Sequence, residues 1–338
     1  MAEHSEYVLE PLREGADFTL YRGRECGNHT PILAMAVASE RPSPQSLRRL
    51  EHEYSLAVEL DAAWAVRPLA LIRHKGRAVL LLKDPGGEPL DRVIEQHNGQ
   101  RFDLTSFLHI AIGLAAALSR AHRQGLIHKD IKPANALVDS SGQVWLTGFG
   151  IASRLPRERL ALAPPEIIAG TLAYMSPEQT GRMNRSVDTR SDLYSLGVTL
   201  YQMLTGVLPF NATEPLEWVH CHIARQPVPP VDRHTVPEPL SAIIMKLLAK
   251  NAEERYQTAA GLEADLRRCL TEWQGHERID PFPLGTDDLS DQLLIPEKLY
   301  GREREVDTLL AAIDRMEEMH DVRLKLSPES AHNSRRAP

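Results

Sequence analysis

The hydrophobic pattern changes period along the chain. From Tyr7 to Leu82, short apolar runs alternate with polar and turn-forming residues, which predicts short strands interrupted by one helix over Ser46 to Leu60. The run Pro31-Ile32-Leu33-Ala34-Met35-Ala36-Val37-Ala38 has the length and flanks of a buried strand. Lys83-Asp84-Pro85-Gly86-Gly87 is a polar, Gly/Pro-rich break. Beyond it the pattern is mostly helical to near Trp273. The longest apolar patch, Phe107 to Leu118, contains His109, is too short to span a bilayer and predicts a long buried helix. Gln274 to Pro296 is rich in Pro, Gly and Asp and is expected to be a linker. Helical periodicity returns from Lys298 to Met316, and Asp321 to Pro338 is polar and unpatterned, as a disordered tail would be. No internal repeat is visible.

Bulk properties narrow the choices. A chain of 338 residues holds one large domain with a tail, or two domains. Its net charge of -7 argues against general binding to nucleic acid or to anionic membranes. The 3 cysteines, Cys26, Cys221 and Cys269, are widely spaced and form no metal-ligand pattern, so reduced thiols in a cytoplasmic protein are expected. The 14 histidines include no H-E-x-x-H arrangement. No signal peptide opens the chain, and no membrane insertion is expected.

Chemistry concentrates in His128-Lys129-Asp130-Ile131-Lys132-Pro133-Ala134-Asn135, followed by Gly148-Phe149-Gly150. This resembles the catalytic loop and metal-binding turn of a protein kinase, with G-F-G where the family has D-F-G. Further landmarks follow in the family's order. Gly170 to Glu178 resembles the end of an activation loop, with Ser176-Pro177-Glu178 at its close. Ser191-Asp192-Leu193-Tyr194-Ser195-Leu196-Gly197 resembles the start of the buried helix whose Asp caps the catalytic loop, and Arg255 stands where an arginine pairs with Glu178. The resemblance implies an α+β, bilobal protein kinase-like fold with a small, mainly β lobe and a larger, mainly α lobe. Its boundaries are expected at 7–83 for the small lobe, 84–88 for the hinge and 89–273 for the large lobe.

Phosphoryl transfer needs a carboxylate to accept the hydroxyl proton, cations along the phosphates and oxygen ligands for magnesium. The resemblance assigns Asp130 as the base, Lys132 to the transferring phosphate and Asn135 to the metal, with ATP and Mg (or Mn) as cofactors if nucleotide binds at all. Gly15, Leu20, Ala34 and Leu137 would hold the nucleotide, although apolar positions of this kind are also ordinary core positions. Gly148 has no side chain to offer as the second metal ligand. In the stretch Leu12 to Tyr21, only Gly15 survives of the phosphate-covering G-x-G-x-x-G, with Arg13 and Phe18 at its outer positions.

Aligned on the family's V-A-I-K strand, Ala34 takes the alanine position and Ala36 the lysine position, in a register open to a slip of one residue. No lysine occurs before Lys75, so the strand cannot supply the ammonium that bridges the phosphates. Arg22 or Arg24 is the remaining candidate for that role. Glu53, the usual partner of the lysine, is then expected to be a solvated helix carboxylate. Each lost charge stabiliser typically costs about 10²- to 10³-fold in rate, which leaves a turnover of about 10⁻⁵ to 10⁻² s⁻¹ from the ~1 to 100 s⁻¹ of ordinary kinases. Ala36→Lys combined with Gly148→Asp is expected to raise any activity by at least about 10²-fold.

A closer resemblance covers about Tyr7 to Met316. The phrases at 167–188, 218–224 and 246–257 are similar to the N-terminal serine/threonine kinase-like domain of large bacterial multidomain sensors, in which a P-loop ATPase domain, a sensory domain and a histidine kinase follow. Leu299-Tyr300-Gly301-Arg302-Glu303 resembles the entry into that ATPase, and no G-x-x-x-x-G-K appears before the end. The expected organisation is therefore a linker at 274–297, a truncated start of the ATPase domain at 298–316 and a tail at 317–338. Two functions follow as expectations, while a small-molecule phosphotransferase of related fold is disfavoured by Thr171 and the Ser-Pro-Glu segment, a protein-substrate feature. One is a pseudokinase or strongly impaired kinase acting as a regulatory or partner-binding module. The alternative is an active serine/threonine kinase using Asp130 as base, with a protein substrate.

Overall fold

The computed structural model describes residues 7–26, 28–97, 102–154, 158, 171–183 and 185–289. Residues 1–293 form one compact unit. The stretches expected to start an ATPase domain and to form a tail lie outside the described residues.

Five antiparallel strands build the small lobe: β1 (Tyr7–Glu14), β2 (Phe18–Glu25), β3 (Asn28–Val37), β4 (Pro68–His74) and β5 (Arg77–Lys83), in the spatial order β1-β2-β3-β5-β4. Side chains alternate across a strand, and the pairing of Leu20 with Met35 and of Leu33 with Leu82 fixes which face each takes. Leu12, Leu20, Leu33, Met35, Val37, Leu80 and Leu82 pack on one face with Leu50 of α1 (Pro44–Ser55). Ile32, Ala34, Ala36, Val79 and Leu81 form a separate cluster on the other face. Helix α1 starts at Pro44 because Ser43 caps it, its hydroxyl accepting the Ser46 N–H at 3.0 Å. It ends at Ser55, short of the expected Leu60, and the chain continues in turns that bury Leu56, Leu60 and Trp64.

The large lobe begins with β6 (Glu88–Pro89) and α2 (Leu90–Gln96), followed by α3 (Leu104–Arg123). Helix α3 is long and apolar enough to cross a membrane. Phe107, Leu108, Ala111, Leu114, Ala115 and Leu118 are buried in the lobe's core, so it is a core helix here. Strands β7 (Ala136–Val138) and β8 (Val144–Leu146) pair beside β6. Then come α4 (Thr189–Thr205), α5 (Pro215–Ile223), α6 (Pro230–Arg233), α7 (Glu238–Leu247) and α8 (Ala259–His276). Helix α4 is buried along nearly its whole length, its polar residues Arg190, Ser191, Asp192, Ser195 and Thr199 included.

Residues 277–289, expected as linker, pack back onto the lobe instead. Ile279 joins the core, and Asp288 accepts the backbone N–H groups of Gln257 and Thr258 at 2.6 and 2.9 Å, beside the N-terminus of α8. Acidic groups favour that end of a helix, where unpaired N–H groups collect.

Candidate active site

The catalytic loop is held from below by Asp192, near the start of α4. Its carboxylate accepts the backbone N–H of His128 at 2.8 Å and of Lys129 at 2.7 Å. His128 is fully buried, and burial lowers its pKa. Its Nε2 donates to the Thr147 carbonyl at 2.9 Å while its Nδ1 accepts the Asp130 N–H at 3.2 Å, which is the pattern of one neutral tautomer. Phe149 packs beside this ring and against Trp64, with no exposed surface. The turn after β8 is thereby anchored on apolar contacts, with the Gly148 N–H donating to Glu53 as a polar tie.

Asp130, Lys132 and Asn135 meet as the sequence suggests. Asp130 Oδ2 accepts from Lys132 Nζ at 2.7 Å and from Asn135 Nδ2 at 2.9 Å, while Oδ1 accepts from the N–H and hydroxyl of Thr171, both at 3.2 Å. Asn135 Nδ2 also donates to the backbone carbonyl of Asp130 at 2.8 Å. Asp130 is thus oriented by four donors, as a proton acceptor would need to be.

The second metal position has no side chain, and one placed there would have to shift the Asn135 amide. Gly148 has φ +79°, and a Cβ built there would lie 2.7 Å from the Asn135 side chain. Glycine alone takes that backbone conformation without strain. Among the described residues, no cluster of three His, Cys, Asp or Glu side chains could hold a metal ion.

Strand register corrects two expectations. Ala34 and Ala36 lie in the cluster on the far face of the sheet, and Met35 and Leu33 take the cleft-facing positions. Met35 therefore stands where the lysine was expected. Leu33, Leu137 and Leu82 are buried together with Leu12 and Leu20, so the apolar slot beside the hinge is filled by side chains.

Arg22 does not reach into the cleft. Its guanidinium donates to Asp84 at 2.8 Å, to Glu88 at 2.9 Å and to the Gly87 carbonyl, tying β2 to the hinge. Glu53 also departs from expectation: it is 2% exposed rather than solvated, and Oε1 accepts the Gly148 N–H at 3.0 Å. Desolvation pushes its carboxyl up to about 7, against the lowering effect of the backbone N–H groups of Gly148 and Phe149.

What remains open is a cleft of about 440 Å³. Gly15, Leu20, Asp130, Lys132 and Asn135 line it, as do Met35, Glu53 and Thr147; Ala34 and Leu137 are not among its walls. Its lining carries three cations, Arg13, Arg49 and Lys132, against five carboxyls, Asp17, Glu53, Asp91, Glu95 and Asp130. Each cation is tied to a carboxylate: Arg13 to Asp91, Arg49 to Asp17 at 3.0 Å and Lys132 to Asp130. The first two pairs strap both ends of the β1–β2 turn down over the cleft.

Of two supporting ion pairs, the sequence anticipates the first. Glu178 receives Arg255 through both guanidinium nitrogens, at 2.7 and 2.9 Å, in a fully buried bidentate pair. Lys129 Nζ meets Glu158 at 2.7 Å.

A family model described as protein kinase domain matches residues 14–266, and the chain belongs to that family. The serine/threonine-protein kinase PknB of Mycobacterium tuberculosis (strain ATCC 25618 / H37Rv) is 42% identical over 153 residues, 45% of this chain and 24% of that protein. The probable serine/threonine-protein kinase CPE1738 of Clostridium perfringens (strain 13 / Type A) is 31% identical over 264 residues, covering 77% of this chain and 38% of its own length. The probable serine/threonine-protein kinase SCO3848 of Streptomyces coelicolor is 37% identical over 176 residues, 52% of this chain and 26% of that protein. The chain thus spans well under half the length of these relatives.

Proposed function

We propose that this domain is a pseudokinase, a kinase fold that serves as a regulatory or partner-binding module without transferring phosphate. The observation that carries this reading is Met35: the side chain that β3 presents to the cleft beside Glu53 is a thioether where phosphate binding calls for an ammonium. Three further features agree with it. The slot beside the hinge is filled by Leu33, the second metal position holds Gly148 with no side chain to offer, and the cleft has more carboxyls than cations. ATP with Mg or Mn, the family's usual cofactors, would meet Asp130, Lys132 and Asn135 but no second metal ligand. The intact hydrogen bonding of Asp130 favours a second reading, a weak serine/threonine kinase with Asp130 as base.

The sequence phrases quoted above support a place in a bacterial multidomain sensor, cytoplasmic, with a regulatory protein or a neighbouring domain as partner and no nucleic acid. Calorimetric titration with ATP, with and without magnesium, tests the pseudokinase reading. Little or no heat of binding at millimolar ATP is expected; magnesium-dependent binding in the micromolar range would contradict it.

A further inference from the structure

The cleft is too open to be a packing defect, and its polar groups are mismatched to a metal-bound triphosphate. No hinge residue from 83 to 88 lines it, so an adenine held by hinge backbone has no place in this cavity. What lines it instead is a set of apolar walls, Leu20, Met35 and Leu50, around two underused polar groups. Glu53 is a buried carboxyl with no cation partner among the described residues, met by neutral backbone N–H groups of Gly148 and Phe149 alone. Thr147 is 3% exposed and its Oγ1 has no hydrogen-bond partner among the described residues. Buried polar groups without partners are uncommon in native proteins and point to a missing donor, acceptor or ligand. The three cations on the walls are already paired, so the charge left uncompensated is negative.

We propose that the cavity is a binding site for a small organic cation, an amine or amidine on a flat apolar body, seated with its charge on Glu53 and a hydrogen bond to Thr147 Oγ1. This rests on the reading that the cleft does not hold ATP. The ligand's ammonium or amidinium takes the place that an internal lysine would otherwise fill, and its donors pair with a desolvated carboxylate, the strong class of hydrogen bond. A volume of about 440 Å³ falls in the range of small-molecule sites. Anionic ligands are disfavoured by the same excess of carboxyls.

Benzamidine is the probe, with uncharged benzamide as its isostere, titrated into the full chain by calorimetry. Benzamidine is expected to bind at least about tenfold more tightly than benzamide, and Glu53→Gln to remove that preference. Thr147→Val, which deletes an unpaired hydroxyl and leaves the shape intact, is expected to weaken benzamidine severalfold and gives a second readout if the Glu53 variant folds poorly. Equal binding of the two probes, no binding to about 10 mM, or benzamidine binding indifferent to both substitutions would overturn the proposal. A parallel Mg-ATP titration separates the two claims. Silence from both ligands overturns the cation site alone, whereas Mg-ATP binding with benzamidine silent overturns the pseudokinase reading too. Glu53-dependent benzamidine binding with Mg-ATP silent supports both claims, and Mg-ATP binding that competes with benzamidine overturns the reading on which the proposal rests.

Discussion

The backbone N–H of Gly148 donates to Glu53 Oε1 at 3.0 Å, joining α1 to the turn that in related kinases would carry a metal ligand. A neutral donor replaces the cation that a buried carboxylate would normally require, so the carboxyl holds its proton to about pH 7.

That burial makes stability pH-dependent in a definite direction. Glu53 binds its proton more tightly folded than unfolded, so between pH 4.5 and about 7 the native state holds more protons and stability falls as pH rises. The shift corresponds to about 3 kcal/mol as an order of magnitude. Urea unfolding across this window should show the wild type losing stability relative to Glu53→Gln, which has no proton to release. Parallel curves for the two proteins would show that Glu53 is not buried as described.

Met35→Lys and Ala36→Lys distinguish the two strand registers. An ammonium at Met35 faces Glu53 across the cleft and should pair with it, leaving the melting temperature near pH 8 equal to or above wild type. An ammonium at Ala36 enters the apolar cluster of Ile32, Val79 and Leu81 and should cost about 2 to 4 kcal/mol. The reverse order would mean that Ala36, not Met35, faces the cleft.

Combined with Ala36→Lys, Gly148→Asp should fail as a rescue of activity, contrary to the expectation drawn from sequence. A side chain there needs a left-handed backbone and must displace Asn135, which braces Asp130, so a loss of about 1 to 3 kcal/mol is expected. Thermal unfolding of Gly148→Ala isolates the backbone and contact cost from that of the charge.

Thr147→Val should be neutral or stabilising by up to about 1 kcal/mol, because it removes a buried hydroxyl without a partner. A clear loss of stability would show that the hydroxyl is satisfied in solution.

Glu178→Ala should cost about 3 to 5 kcal/mol, since it strands the fully buried Arg255 guanidinium. Chemical denaturation measures it directly.

What could be read from sequence was what short spacing or a charged identity encodes. The motifs place Asp130, Lys132 and Asn135 together in one loop, and the capping by Asp192 and the pair of Glu178 with Arg255 appear where the motifs put them. The face taken by β3 was not legible: residues 31–38 are apolar throughout, so no alternation marks the cleft side, and a slip of one residue exchanges the two faces. Pairing with Leu20 and Leu82 decides it. Glu53 looked solvated because its lysine was missing, but helix position buries it whether or not a cation is supplied. Arg22 was drawn to acidic hinge residues that sequence distance hid, and residues 277–289 looked like linker because their anchoring rests on single groups such as Ile279 and Asp288 rather than on a periodic pattern.

The most direct measurement is transfer of labelled γ-phosphate from ATP by the full chain, with magnesium and with manganese, beside Asp130→Ala. The two proteins should be indistinguishable, with no incorporation above background. Labelling of the wild type that Asp130→Ala abolishes would contradict the account and show that the cleft still performs phosphoryl transfer.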